Sequence, residues 1–295
     1  MSADVLIASD GPRLASGSFD DLSRLARSVQ LRPRRRAARR RASFGQLGRA
    51  CSPIPEPYWP APSRPWSTRR GRILVDALRP APIPDSVRRA LADIEPGEPG
   101  GPAIDADWGE PGLSPAERVF GWNALEVLAF RTGNPEHPVN AIPPRASAHM
   151  QLRFVAGCDS RTFIPALRAH LDGCGFSVVA VRQASMEPMA ATRLDPENPW
   201  VRWASASIAA TTGAPPAILP NLGGSLPNDC FADVLGLPTI WVPHSYPGCS
   251  QHAPDEHMLA RIAREGLQIM TGLFWDLGAS GTPARVRSHG PARSV

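Results

Sequence analysis

Lysine is absent from this sequence: all 32 basic residues are arginine. That bias reads as the mark of a GC-rich coding sequence rather than of selection for charge. Tyrosine occurs only twice, at positions 58 and 246. The five cysteines (51, 158, 174, 230 and 249) are odd in number and contain no Cys-x-x-Cys pair. A disulfide framework and a zinc knuckle are therefore excluded, and the thiols read as reduced. No run of about 18 apolar residues occurs, which excludes a transmembrane helix. Met1 is followed by Ser2, Ala3 and Asp4, without the basic and apolar stretches of a secretory leader, so a cytoplasmic location is expected.

Acidic residues are scarce in one segment only. Residues 14–70 hold 13 arginines against Asp20, Asp21 and Glu56, a balance of +10. The formal net charge of the whole chain is +5, so the remaining residues sum to −5. A uniformly basic protein is excluded. Proline (34) and glycine (25) make up a fifth of the 295 residues, so loops will be many. The 42% apolar content still suffices for a core in one large domain or two ordinary ones.

The hydrophobic pattern predicts the following elements. Residues 3–9 form a short buried strand that ends at the turn Asp10-Gly11-Pro12. Residues 14–70 have no usable periodicity. They include seven arginines within positions 32–41 and a run of spaced prolines from 53 to 65. Order resumes at 71–78. Residues 80–112 read as a surface excursion with one short helix near 85–93. Leu125–Phe130 is a strand, and 149–156 alternates as a half-buried strand should. Asp159 caps a helix carrying Phe163, Ile164, Leu167 and Leu171, closed by Gly173. A strand over 177–181 follows, giving the strand–strand–helix–strand order of a small α+β sandwich. A helix spans 199–212, a buried strand 237–243 and a long amphipathic helix 256–277. The last fifteen residues or so read as a disordered tail.

The chemistry is concentrated in 223–257. Gly223-Gly224-Ser225-Leu226-Pro227 is a glycine loop, Thr239-Ile240-Trp241-Val242-Pro243 is an apolar strand, and Gln251-His252-Ala253-Pro254-Asp255-Glu256-His257 opens the long helix. A histidine in a tight loop at a helix start is well placed as a metal ligand, although a lone histidine is more often structural. This combination resembles the C-terminal end of the M20 family of metallopeptidases and deacylases, which includes carnosinase-like dipeptidases, acetylornithine deacetylase and succinyl-diaminopimelate desuccinylase. Residues 139–156 resemble the lid, or dimerisation, domain of that family. Residues 4–12 (Asp-Val-Leu-Ile-Ala-Ser-Asp-Gly-Pro) resemble its strand with a terminal metal-binding aspartate.

The resemblance implies an α/β fold: a zinc-peptidase-type catalytic domain with an inserted α+β lid domain. It implies two divalent metal ions, zinc or else cobalt or manganese. Asp10 would hold one and His252 the other, while Gly224 and Ser225 would line the substrate end. Glu256 and His257 match no ligand and read as cap or surface residues. The implied substrate is a small peptide or N-acyl amino acid, and the implied assembly is a homodimer through the lid. Nucleic acid and membrane are not expected partners.

The family also needs a His-x-Asp loop and a Glu-Glu pair, which supplies the general base, both upstream of the Asp10 strand. Both elements are taken to be absent from this chain, which leaves no catalytic residue and two ligands where five are needed. The expected organisation is a catalytic-domain fragment over 1–13, an Arg/Pro-rich segment over 14–70, an incomplete lid over 71–194, the C-terminal part of the catalytic domain over 195–280 and a tail over 281–295.

Three readings compete for 14–70. One is an arm for nucleic acid, which lacks the interleaved aromatics that stack on bases. The second is a solvated low-complexity linker. The third is translation out of frame. Read one base later with permitted synonymous codons, residues 21–48 yield a family-like strand and lid loop ending Asp-Gly-Gly-His-His-Ser-Gly-Asn-Trp-Gly. A second shift over 49–70 yields an apolar helix that runs into Gly71-Arg72-Ile73-Leu74-Val75. The third reading explains best why the lid strand, loop and helix of the family are missing here.

Overall fold

The computed structural model describes residues 3–9, 20–22, 27–30, 66–96, 105, 107–134, 136–138, 140, 146–183, 190–222, 226–250, 254–281 and 283. Its larger sheet has the order β1-β7-β2-β6, with β1 Leu6–Ala8, β2 Asp20–Leu22, β6 Ala217–Leu219 and β7 Thr239–Trp241. β1 and β7 run parallel, with Leu6 opposite Thr239, Ile7 opposite Ile240 and Ala8 opposite Trp241. β2 runs parallel to β6 and antiparallel to β7.

Both faces of this sheet are covered, as the unbroken apolar runs of β1 and β7 demand. On one face Leu219 and Trp241 pack with Val87 and Leu91 of α1 (Asp85–Leu91) and Phe120 of α2 (Pro115–Phe120), and Leu6 and Ala8 lie against them. On the other face Ile240 and Val242 pack with Trp200, Ala204 and Ile208 of α4 (Pro199–Thr212) and with Ile269 and Leu273 of α5 (Ala260–Ser280). Val5 and Ile7 join that second layer, so β1 alternates between the two cores residue by residue.

The second sheet is antiparallel, in the order β3-β5-β4, with β3 Arg27–Gln30, β4 Ala124–Thr132 and β5 Ala146–Phe154. Leu125, Leu152 and Phe154 pack with Ile73, Val75, Leu78 and Phe163 at the start of α3 (Phe163–Gly173). The Phe154 and Phe163 rings meet edge to face at 5.2 Å. A β-bulge interrupts the β4–β5 register between Val127 and Ala129. The expected α/β architecture, one sheet sandwiched by helices plus a smaller α+β unit, is what the structure has.

Several boundaries follow from local chemistry. α4 begins where the Asn198 side chain accepts a hydrogen bond from the Trp200 amide at 2.9 Å, with Pro199 in the first turn, and ends at Gly213 with φ +79°. α2 carries a capping box that was readable as Ser114-Pro115-Ala116-Glu117 but was not anticipated. Ser114 Oγ accepts from the Glu117 amide, and Glu117 Oε2 accepts from the Ser114 amide. Gly272 lets α5 cross close to α4, because a Cβ there would stand 2.2 Å from Thr211 Oγ1.

Four expectations need correction. Residues 177–181 form no strand: Gly175 takes φ +84°, the Phe176 amide bonds back to the Leu171 carbonyl at 2.8 Å, and Val178 is exposed. The β-branched pair there joins no strand among the described residues, and the α3 C-terminal turn takes the backbone instead. The excursion over 80–112 is not wholly superficial, since α1 buries Val87 and Leu91 in the core. The long helix starts at Ala260, not 256, because Asp255 takes φ +64° and Leu259 is still extended. Finally, segment 14–70 is not devoid of strands, for β2 and β3 lie within it and pair by backbone hydrogen bonds that any side chain permits. The expected tail lies outside the described residues apart from Gly281 and Pro283.

Candidate functional site

β1 and β7 carry the chain out of the sheet at the same edge. The Leu6 amide donates to the Pro238 carbonyl at 2.9 Å and the Val242 amide to the Ala8 carbonyl at 2.8 Å. The loops leaving the carboxyl ends of parallel strands are the usual place for a site in an open α/β sheet. Ser9 opens the first loop and Pro243-His244 the second. The four sequence-derived site residues, Asp10, Gly224, Ser225 and His252, all lie outside the described residues. The structure therefore describes what flanks each of them.

Around position 252 the flanks are tied down. The Tyr246 hydroxyl and His257 Nε2 lie 2.7 Å apart, and His257 Nδ1 is 2.9 Å from the Asp255 carbonyl. The His257 amide donates to the Cys249 carbonyl and the Cys249 amide to the Tyr246 carbonyl, each at 3.0 Å. Ser250 (φ +58°) and Asp255 (φ +64°) hold left-handed backbone on either side of 251–253. Non-glycine residues in that region carry strain, which is found where geometry is held for a purpose. His257 is exposed, as expected, but braces the loop rather than capping α5; Glu256 is exposed.

Around 224 and 225 two buried asparagines anchor the chain. Asn221 Nδ2 donates to the Phe120 carbonyl at 2.6 Å, while its Oδ1 is buried without a partner among the described residues. Asn228 Nδ2 reaches Thr192 Oγ1 at 2.6 Å and Thr239 Oγ1 at 3.1 Å, and its Oδ1 accepts from Trp241 Nε1 at 2.9 Å. A π-helical turn, Cys230–Val234, follows directly, a feature enriched at functional sites. Asp233 is exposed, yet partial desolvation, with Asp229 adding like charge, shifts its carboxyl upward from the ordinary carboxylate value. Asn221, Asn228 and His244 were not picked out in the sequence. Polar residues bracketing Gly223-Gly224 were the one available signal.

The expectation that no His-x-Asp occurs is wrong: His170-Leu171-Asp172 fits the pattern. It lies on α3, where residues two apart do not face each other. Leu171 is buried, Asp172 pairs with Arg168 at 3.6 Å, and His170 Nε2 lies 3.7 Å from Cys174 Sγ. This is a helix surface and not a metal loop. No Glu-Glu pair occurs in the sequence.

The donor set does not fit a two-metal centre. The resemblance assigns one carboxylate and one imidazole, at Asp10 and His252. His244, on the chain leaving β7, has Ser9 Oγ 2.8 Å from Nδ1 and 2.7 Å from Nε2, with Nδ1 also 3.1 Å from the Val242 carbonyl. Among the described residues, no three His, Cys, Asp or Glu side chains come together as a metal site.

Comparison with known proteins gives the fold a name. No protein-family profile matches the sequence, and no characterised protein does. Solved structures do match. A M20 family metallo-carboxypeptidase from Sulfolobus solfataricus is 17% identical with a TM-score of 0.58, covering 92% of this chain and 61% of its own. A di-peptidase from Saccharomyces cerevisiae is 15% identical with a TM-score of 0.58, covering 92% and 58%. Human carnosine dipeptidase 1 is 12% identical with a TM-score of 0.56, covering 94% and 60%. The chain has the M20 peptidase fold and spans about three-fifths of the length of these structures. No described helix is long and apolar enough to cross a membrane.

Proposed function

We propose that this chain is a metal-dependent hydrolase of peptide or N-acyl amide bonds in a non-catalytic form. The observation that carries the reading is the fold match over more than nine-tenths of the chain to peptidases, one of them named a metallo-carboxypeptidase. In support, β1 and β7 are parallel neighbours, and in sequence Asp10 is the second residue after β1 and His252 the eleventh after β7. Gly224 and Ser225 sit between the anchored Asn221 and Asn228, a placement that suits a substrate-lining loop. Zinc, cobalt or manganese would suit an aspartate and a histidine equally. None of these four residues is a general base for water attack on an amide, and two donors do not make a dinuclear centre, so no catalytic step is assigned.

The test is an assay of the purified chain against dipeptides and N-acyl amino acids with zinc, cobalt or manganese. No metal-dependent turnover is expected, and turnover abolished by a chelator would overturn the reading. The Arg-rich segment fits the same account as an out-of-frame stretch. The nucleotide sequence decides this: codons that forbid the shifted readings of 21–48 and 49–70 would sink it.

One observation favours a second reading, a non-catalytic dimerisation module. β4 ends the three-stranded sheet, so one of its sides is unpaired among the described residues, and Leu128 there is exposed. Light scattering after size exclusion would show a discrete dimer if that edge pairs, and a monomer or a broad aggregate if it does not.

A further inference from the structure

We infer that the side chains of Glu110 and Trp122 hold one water molecule between them, in a cavity where the cores of the two sheets meet; the inference is independent of the proposed function. Glu110 stands on the chain leading into α2, and Trp122 between α2 and β4. Glu110 is only 8% exposed, and its two oxygens are used unequally. Arg79 Nη2 donates to Oε1 at 2.7 Å, and Arg72 Nε lies 3.5 Å from that same atom. Oε2 is buried and has no partner among the described residues. Trp122 Nε1 can only donate, and it too is buried without a partner among them, as is Arg79 Nε. Glu110 and Trp122 line one cavity of about 20 Å³. Ile73, from the core of the second sheet, lines it as well, while Trp122 packs against the core under the first sheet.

A buried polar atom left without a hydrogen bond is costly, so such atoms are met by the chain or by ordered water. The other polar side chains at this cavity are already engaged. Asn123 donates to the Leu78 carbonyl and accepts from the Val155 amide. Arg118 donates to the Trp108 and Glu110 carbonyls, and buried Glu126 has a partner of its own. The occupant must therefore accept from an indole N–H and donate to a carboxylate. A metal ion or ammonium meets the carboxylate but cannot accept, and it would stand among Arg72, Arg79 and Arg118. Chloride accepts from the indole but repels the carboxylate. Water does both, and the cavity exceeds the roughly 10–15 Å³ that one water needs.

The experiment uses the full 295-residue chain and the assigned indole proton of Trp122. That proton should give a rotating-frame cross-peak to water with the sign of a direct dipolar contact. It should exchange with solvent about tenfold more slowly than the indole of the exposed Trp275, the scale of one hydrogen bond of ordinary strength. Replacing sodium by potassium or magnesium should leave its resonance in place. Ala124→Val adds carbon at the cavity wall and should abolish the cross-peak while the thermal midpoint stays close to that of the parent chain. Absence of the cross-peak in the parent chain would overturn the inference, since indole and carboxylate would then bond directly. So would a cross-peak with the sign of chemical exchange, which means bulk solvent, or a resonance that moves with the cation. Persistence of the cross-peak in folded Ala124→Val would place the water elsewhere and overturn it as well. The first three readouts need no variant, so a valine variant that fails to fold leaves the inference refutable. None depends on hydrolysis, and a dry cavity leaves the proposed function standing.

Discussion

The two sheets solve the same burial problem in different ways. The β1-β7-β2-β6 sheet is covered on both faces, and all three residues of β7 are buried. The β3-β5-β4 sheet is packed on one side, and outer positions of β4 such as Leu128 and Ala129 face solvent. A two-faced sheet leaves room for chemistry only at its edges, where chain emerges from parallel strands. A one-faced sheet leaves a whole surface and a strand edge to meet another molecule. The candidate site and the candidate dimer edge fall where this difference puts them.

The contrast is sharpest between an inner strand of the first sheet and the edge strand of the second. Ile240, fully buried between two helical layers, should lose about 3–4 kcal/mol on Ile240→Ala. Val127 on β4, only partly buried, should lose no more than about 1.5 kcal/mol on Val127→Ala. Urea unfolding of both variants checks this, and equal losses would break the comparison. Next in size is the Asn228 hub. Asn228→Ala strands Thr192, Thr239 and the Trp241 indole in the two-faced sheet and should cost about 2–3 kcal/mol. The cap of α2, which covers one of the two faces, should be smaller still: Ser114→Ala should cost about 1 kcal/mol in the same assay.

The smallest effect concerns Asp233, beside the candidate loop. Its carboxyl is shifted upward from its unfolded value by partial desolvation and then by Asp229, so the folded state binds the proton more tightly. Stability therefore declines as pH rises from the unfolded value through the folded one, and the deficit is complete above both. Asp233→Asn should raise the thermal midpoint at pH 7 and leave it nearly unchanged at pH 3. The same gain at both values would remove ionisation as the cause.

Legibility in the sequence followed locality. The helix expected over 199–212 coincides with α4, whose ends are set by Asn198, Pro199 and Gly213, each acting on its own turn. β7 was legible from its apolar run. The start of α5 was not, because the left-handed Asp255 leaves no compositional mark. The strand expected at 177–181 failed because β propensity says nothing about whether a partner strand is near. Ser9 and His244 meet only because the parallel register of β1 and β7 brings them together, so no local pattern could reveal the contact. His170-Leu171-Asp172 shows the converse: a spacing that suits a loop means nothing on a helix.

The central claim is that this chain keeps the M20 peptidase fold without the ligands for a two-metal centre. Calorimetric titration of the folded chain with zinc tests it directly. The account predicts less than one equivalent bound tightly. Two tight equivalents would contradict it.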